Sequence, residues 1–266
     1  MPDAPTQQAD KTDTVARTLF VAFCVSLVCS SLVASAAVLL KPRQEANALR
    51  DMRRNILEVA GLLEPGGDLD ELYRNIEARV VDLETGAYVD GVDPESYDPI
   101  EAAKDPTRSV AVPAEIDVAR VGRRAKHALV YLVRRDGNLS KVILPVHGYG
   151  LWSTLYGLLA VGADGNTIAD ITFYAHGETP GLGDFISDPE WRSQWRDKRL
   201  FDPSGELRVK VAKGRVPAND PLADYHVDGV SGATLTGNGV TNLMQYWLGD
   251  HGYGPYLRSL QRGGGK

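Results

Sequence analysis

Hydrophobic residues are unevenly spread along this chain, and their spacing divides it into three regimes. The first is a block. Leu19 to Leu40 runs for 22 residues without a charged side chain (LFVAFCVSLVCSSLVASAAVLL). A helix of that length reaches about 33 Å, enough to cross a hydrocarbon layer of about 30 Å. A cleaved signal peptide is the main alternative, because Ala34-Ser35-Ala36 has the small residues of a cleavage site. A buried core helix is the other. The run is long for a signal core and continues through Val38-Leu39-Leu40, which favours an uncleaved membrane anchor.

The second regime is helical in period. Leu49, Met52, Ile56, Val59 and Leu63 recur at three- and four-residue steps, the stripe of a half-buried helix, and Pro65-Gly66-Gly67 offers its end. Asp68 is placed to cap a second helix carrying Leu69, Leu72, Ile76 and Val80 on one face. Val80 to Val92 reads as a short hairpin about Glu84-Thr85-Gly86. Residues 93–124 are rich in Pro, Asp, Glu and Arg and read as a connection, with one strand at Ser109–Val112.

From about residue 125 the pattern becomes strands joined by tight turns. Ala128–Val133 and Lys141–Val146 flank Asp136-Gly137-Asn138, and Leu155–Val161 and Thr167–Tyr174 flank Ala163-Asp164-Gly165-Asn166. These are two hairpin signals, and neighbouring hairpins favour an antiparallel sheet. Asp188-Pro189-Glu190 opens a helix with Asp as cap and Pro at the first position, Trp191 and Trp195 sharing a face. Glu206–Ala212 reads as a further strand, and helical character returns over Val240–Leu248. The fold class is therefore α+β: one N-terminal transmembrane helix, then a soluble domain of mainly antiparallel sheet with flanking helices. Residues 1–17 and the closing Gly263-Gly264-Gly265-Lys266 read as polar tails.

Composition adds exclusions. A net charge of −6 argues against nucleic acid as a partner, since phosphate binding needs a basic surface. Both cysteines, Cys24 and Cys29, lie in the apolar run, which leaves no disulfide framework and no CxxC zinc site beyond it. His147 and His176 lack a third ligand at metal spacing, so no metal site is expected. Asp224, His226 and Ser231 contain the residue types of a catalytic triad, but closeness in sequence says nothing about that geometry. No phosphate-cradling or dinucleotide glycine motif is present. Charge also bears on orientation. Lys11 and Arg17 precede the span, whereas Lys41, Arg43, Arg50, Arg53 and Arg54 follow it, a count that favours a cytoplasmic C-terminal part.

Three small-residue loops remain as candidate chemistry. The first is Gly148-Tyr149-Gly150-Leu151-Trp152-Ser153, with a flat apolar Trp152. The second is His176 to Gly183, and the third is Asp228-Gly229-Val230-Ser231-Gly232-Ala233-Thr234-Leu235-Thr236-Gly237. Glycines allow close approach to the backbone, and a hydroxyl-rich loop opening a helix can receive an anion. Each loop also has a plain structural reading: Gly and Pro as turn residues, Ser and Thr as helix caps.

In this order behind one span, ETPGLG at 178–183 and SGATLT at 231–236 resemble the flavin-binding loop and flavin-attachment motif of the FMN-binding domain family. GYGLWSTLYG at 148–157, VDGVSGATLT at 227–236 and RRNILEVAGL at 54–63 are similar to the C subunits of sodium-translocating NADH:quinone reductases. The resemblance covers the span and most of residues 41–260, while 93–124 carry no matching motif.

The resemblance implies an electron-transfer subunit of an NADH:ubiquinone reductase, not catalytic alone. It implies FMN joined by a phosphoester to Thr234, with Ser231 and Thr236 supporting the loop and Gly232 and Ala233 giving the transferase and the flavin access to the hydroxyl. Glu178, Thr179, Gly181, Leu182, Gly183, Leu151, Trp152 and Ser153 would line the flavin. It further implies a flavin transferase that uses FAD and magnesium, and a sodium-exporting complex of six subunits in the bacterial inner membrane. The domains would be a cytoplasmic tail over 1–17, a membrane helix over 18–40, a mixed segment over 41–124 and a periplasmic FMN-binding domain over 125–266. That orientation opposes the charge count. The homologous G subunit of Rnf-type ferredoxin:NAD complexes and a membrane-anchored extracytoplasmic binding module without redox activity are the rival readings.

Overall fold

A computed structural model describes residues 15–217 and 219–263. The tail expected before Val15, Ala218 of the loop before the third candidate segment, and the last three residues lie outside the described residues. The chain forms two units, residues 1–50 and 51–266.

The first unit holds most of helix α1, which runs from Val15 to Ala60 and contains Pro42. The helix begins inside the segment read as a polar tail. Every Leu, Phe and Val from Leu19 to Leu40 is exposed, and none of its most apolar window is covered by protein. A core helix would bury that surface, so the buried-helix reading loses its footing, and lipid is the solvent such a surface fits.

The second unit begins with the last turns of α1. That helix does not run on to Pro65. It stops at Ala60, where Gly61 takes a left-handed φ of 70°. Gly61 N–H then bonds Glu58 O at 2.9 Å and Leu62 N–H bonds Leu57 O at 2.9 Å, the paired bonds of a glycine C-cap. Helix α2 spans only Leu69–Tyr73, capped by Asp68 as expected, and Ile76 and Val80 belong instead to strand β1, Ile76–Asp82. The hairpin read over 80–92 survives as a single bridge between Val81 and Tyr88. The connection at 93–124 contains helix α3, Pro99–Lys104, capped by Asp98. It also contains strand β2, Ser109–Ala111, paired antiparallel with β3, Arg123–Ala125.

Strands β4 (His127–Arg135), β5 (Asn138–Tyr149), β6 (Thr154–Gly162) and β7 (Ile168–Ala175) realise the two expected hairpins. The sheet order is β1-β4-β5-β6-β7, with every neighbouring pair antiparallel. Asp136 and Gly137 both have positive φ, 52° and 79°, as a two-residue hairpin turn requires. Helix α4, Pro189–Ser193, follows its Asp188 cap. The strand expected at 206–212 is realised in pieces: Leu207 forms an antiparallel bridge with Phe201, and β8, Lys210–Val211, pairs in parallel with β9, His226–Val227. Helices α5, Thr234–Leu248, and α6, Gly254–Gln261, close the fold.

The sheet is covered on both faces, which explains why its strands read as apolar runs rather than as alternations. Leu144, Val146, Leu155 and Leu159 pack with Trp191, Trp195, Leu243, Met244 and Trp247 on one side. Ile143, Leu158, Ala160 and Val133 pack with Ile56, Leu57 and Val59 of α1 on the other. Neighbours such as Ile143 and Leu144 serve opposite cores, as the two-residue period of a strand demands.

Candidate functional site

The three candidate loops come together at one end of the sheet, and one carboxylate joins them. Glu178, in the segment after β7, is 5% exposed. Its Oε1 accepts the N–H groups of Leu151 at 3.0 Å and Trp152 at 3.1 Å, in the β5–β6 turn. Its Oε2 accepts the Thr236 hydroxyl, in the first turn of α5, at 2.5 Å. The glycines around this junction follow from lack of space. A methyl group on Gly150 would lie 2.6 Å from Glu178 Oε1, and one on Gly183 would lie 2.7 Å from Thr236 Oγ1. Gly239 lets α5 approach the β5–β6 turn: its Cβ would sit 2.9 Å from both Gly150 Cα and Tyr149 O.

Other bonds fix the first two loops to each other. Ser153 Oγ accepts the Gly177 N–H at 2.6 Å. Glu178 N–H donates to His176 Nδ1 at 3.3 Å. That bond leaves the neutral ring with its proton on Nε2, which lies 2.8 Å from Ser187 Oγ. Thr179 O accepts the N–H groups of Leu182 and Asp184, closing a turn in which Gly181 has φ 73°. A 3-10 turn over Gly183–Ser187 follows.

The third loop departs from the capping reading. The residue at the cap of α5 is Ala233, and it makes no side-chain cap hydrogen bond. The helix therefore starts at Thr234, before the stretch over which helical character was legible, with N–H groups that have no intrahelical acceptor. Gly232 has φ 83°, and Leu182 Cδ2 lies 3.6 Å from where its Cβ would be. The three hydroxyls differ in access: Ser231 and Thr234 are exposed, and Thr236 is fully buried.

Of the residues singled out from sequence, Trp152, Thr179, Gly181, Leu182, Ser231, Gly232 and Thr234 are exposed, Leu151 and Ser153 half-buried, and Glu178, Gly183, Ala233 and Thr236 buried. Sequence reasoning included Tyr149 and Leu235 in the first and third loops but gave them no part in binding, and their side chains are exposed there. It also missed the Lys213-Gly214-Arg215 turn, held to the third loop by Gly229 N–H on Gly214 O at 2.8 Å. Two glycines inside a helix, Gly237 and Gly239, were the available signal for close packing there.

Elsewhere, the carboxylate facing the buried His226 is Asp220, 3.7 Å away, rather than Asp224. Among the described residues no group of three His, Cys, Asp or Glu is placed to hold a metal.

The family described as FMN-binding domain matches residues 150–249, a segment that contains the second and third loops and the first from Gly150 onward. The C subunit of the Na(+)-translocating NADH-quinone reductase of Pseudomonas aeruginosa is 49% identical over 255 residues, 94% of this chain and 98% of that protein. The corresponding protein of Vibrio anguillarum is 47% identical over 96% of this chain and 99% of its own. Among solved structures, the crystal structure of Shewanella oneidensis NqrC superposes with a TM-score of 0.73 at 37% identity, covering 80% of this chain and 98% of that one. The C subunit from Parabacteroides distasonis gives a TM-score of 0.64 at 31% identity, over 82% and 96%.

Proposed function

The chain belongs to the family of C subunits of Na(+)-translocating NADH-quinone reductases, and from that premise we propose that it relays electrons through an FMN joined by a phosphoester to Thr234. The protein forms part of an oxidoreductase complex. When bound, FMN would supply the electron-transfer chemistry. This chain's own residues hold and orient it.

One observation carries the reading. Thr234 presents an exposed hydroxyl on the first residue of a helix whose first turn has no side-chain cap. The residues present fit the group. The unfilled N–H groups and the positive end of the α5 dipole favour the single negative charge of a phosphodiester, by roughly 0.3–1 kcal/mol at an exposed site. Exposed Trp152, Leu182 and Leu235 give the ring apolar surface. Gly181 and Gly232 keep the surrounding backbone low. Ser153 and Thr179 stand at the same loops and offer polar contacts. An aliphatic phosphoester leaves the ring system unmodified, so attachment and electron transfer do not compete.

Attachment would use a flavin transferase with FAD and magnesium. The Thr234 oxygen bonds the FMN-side phosphorus, the pyrophosphate bond breaks and AMP leaves with its electron pair, the hydroxyl proton passes to solvent, and nothing is oxidised. We place the chain in a complex of six subunits in the bacterial inner membrane, anchored by α1, with residues 51–266 periplasmic. Ion passage falls to other members of that complex, because the apolar run contains no carboxylate.

The test is a denaturing gel of the chain produced alongside the transferase. The wild-type band fluoresces under ultraviolet light, Thr234→Ala is dark, and peptide mass mapping finds the flavin on Thr234. Ser231→Ala weakens the band without moving the site. A dark wild-type band, or flavin on Ser231 or Thr236, would reject the assignment.

A further inference from the structure

We propose that Glu178 and Thr236 form a latch that presents Thr234 to the flavin transferase, so that the Glu178 carboxylate is a positioning residue rather than a flavin contact. The proposal rests on the reading of Thr234 as the attachment point.

The geometry starts with how Glu178 is used. Both of its oxygens are engaged by the protein, at 3.0, 3.1 and 2.5 Å, and its side chain lies in a residue that is 5% exposed. A carboxylate engaged in this way has little left to offer a ligand. Its three donors come from two segments, 26 and 27 residues before it and 58 residues after it. The bonds therefore fix long-range geometry that no local turn could supply. The fit is close on all sides. Methyl groups at Gly150 and Gly183 would lie 2.6 and 2.8 Å from its two oxygens.

Thr236 completes the argument. Its hydroxyl is 0% exposed and donates to Glu178, while Thr234, two residues earlier on the same helical turn, is exposed. Locking the third helical residue inward fixes the rotation of the first turn, and that rotation turns the first residue outward. The same carboxylate holds the Leu151–Trp152 backbone against this turn. Without it, two N–H groups and a hydroxyl lose their acceptor, and the acceptor threonine loses its fixed relation to the neighbouring loop. A displacement of about 1 Å in a reacting group can cost a hundredfold in rate.

The experiment uses the full chain in detergent, incubated with the transferase, FAD and magnesium. Modification rate is followed by in-gel flavin fluorescence and site by peptide mass mapping. Unfolding midpoints are measured in parallel. Leu158→Ala serves as a control, because Leu158 is fully buried in the core on the opposite face of the sheet and destabilises without touching the loops. Glu178→Ala and Thr236→Val should slow modification of Thr234 by about 10- to 100-fold, well beyond Leu158→Ala at an equal or greater loss of stability. Glu178→Gln, whose amide oxygen can accept the two N–H groups while its amide nitrogen faces Thr236, should recover most of the rate. Thr236→Ser should do the same. The double variant Glu178→Ala/Thr236→Val should be no slower than Glu178→Ala alone, since both remove one unit. Glu178→Ala at the wild-type rate would overturn the latch and leave the attachment reading intact. So would slowing that merely follows the unfolding midpoint, with Leu158→Ala equally slow. An unmodified wild-type chain would overturn both.

Discussion

His147 shows how burial sets chemistry at a single residue. Its ring stacks on Tyr156 at 5.9 Å and lies 4.8 Å from Trp247, and burial pushes its pKa down to about 4. The unfolded chain takes up that proton near pH 6.5. Between pH 6.5 and 4 the unfolded state therefore binds more protons, and stability falls as the pH falls through this window. Each unit of depression corresponds to about 1.4 kcal/mol, so urea midpoints should drop markedly from pH 7 to pH 4.5. His147→Gln should flatten the fall, leaving the part due to His226, whose pKa burial also lowers. An unchanged slope would show that His147 is not the titrating group. Spacing alone argues against a metal at this histidine, but its neutral, aromatic setting is not legible in the sequence. Tyr156 and Trp247 reach it only through sheet pairing and helix packing. The same holds for Glu178. Its glycine-rich surroundings are visible in sequence, whereas its partner Thr236 lies 58 residues away, and no local pattern joins the two.

At the scale of elements, legibility follows period and length. The two central hairpins are readable because tight turns with Asp-Gly separate long apolar runs, and register follows from turn geometry. The segment that misleads is Leu69, Leu72, Ile76 and Val80. A step of four is close to one helical turn and is also two strand repeats, so Ile76 and Val80 fit either element. Pairing with Val133 and Leu129 decides for the strand. Helix α3 carries at Asp98-Pro99 the same opening signal as α4 at Asp188-Pro189, but its short apolar content hides it. The end of α1 falls earlier than expected because a lone Gly61 outweighs the more conspicuous Pro65-Gly66-Gly67. Gly61 is the position where conformation matters: its φ is 70°, and among the described residues its Cβ would meet only Lys141 Nζ, at 3.5 Å. Gly61→Ala therefore has room but the wrong backbone, at a cost of about 1–2 kcal/mol. The Lys141 ammonium on Ala60 O at 2.9 Å would remain. A fall in the urea midpoint of that size, with flavin attachment unchanged, is the expected result, and no fall would mean that the left-handed cap contributes nothing.

For the whole molecule, orientation is set by the side of the membrane on which residues 51–266 reside. The positive-inside count rests on five basic residues after the span, and the fold accounts for part of it. Arg53 bonds Asp70 at 2.6 Å and lies 5.0 Å from the Tyr73 ring, so it serves the second unit's own packing. Lys41 faces Glu45 at 3.9 Å. The rule itself is strongest for short loops, since long domains translocate largely regardless of charge. A 216-residue unit lies far beyond that range. The anchor is legible in sequence because 22 uncharged residues need no tertiary context, but its direction depends on export machinery that leaves no mark in the hydropathy pattern. We predict that protease added outside spheroplasts digests the second unit, and that the same protease added to inverted membrane vesicles leaves it intact until detergent is present. The reverse pattern would place the flavin site in the cytoplasm. The attachment reading would survive that outcome, since Thr234 and its loops are built within the second unit, but the electron path would then have to begin and end on the cytoplasmic face.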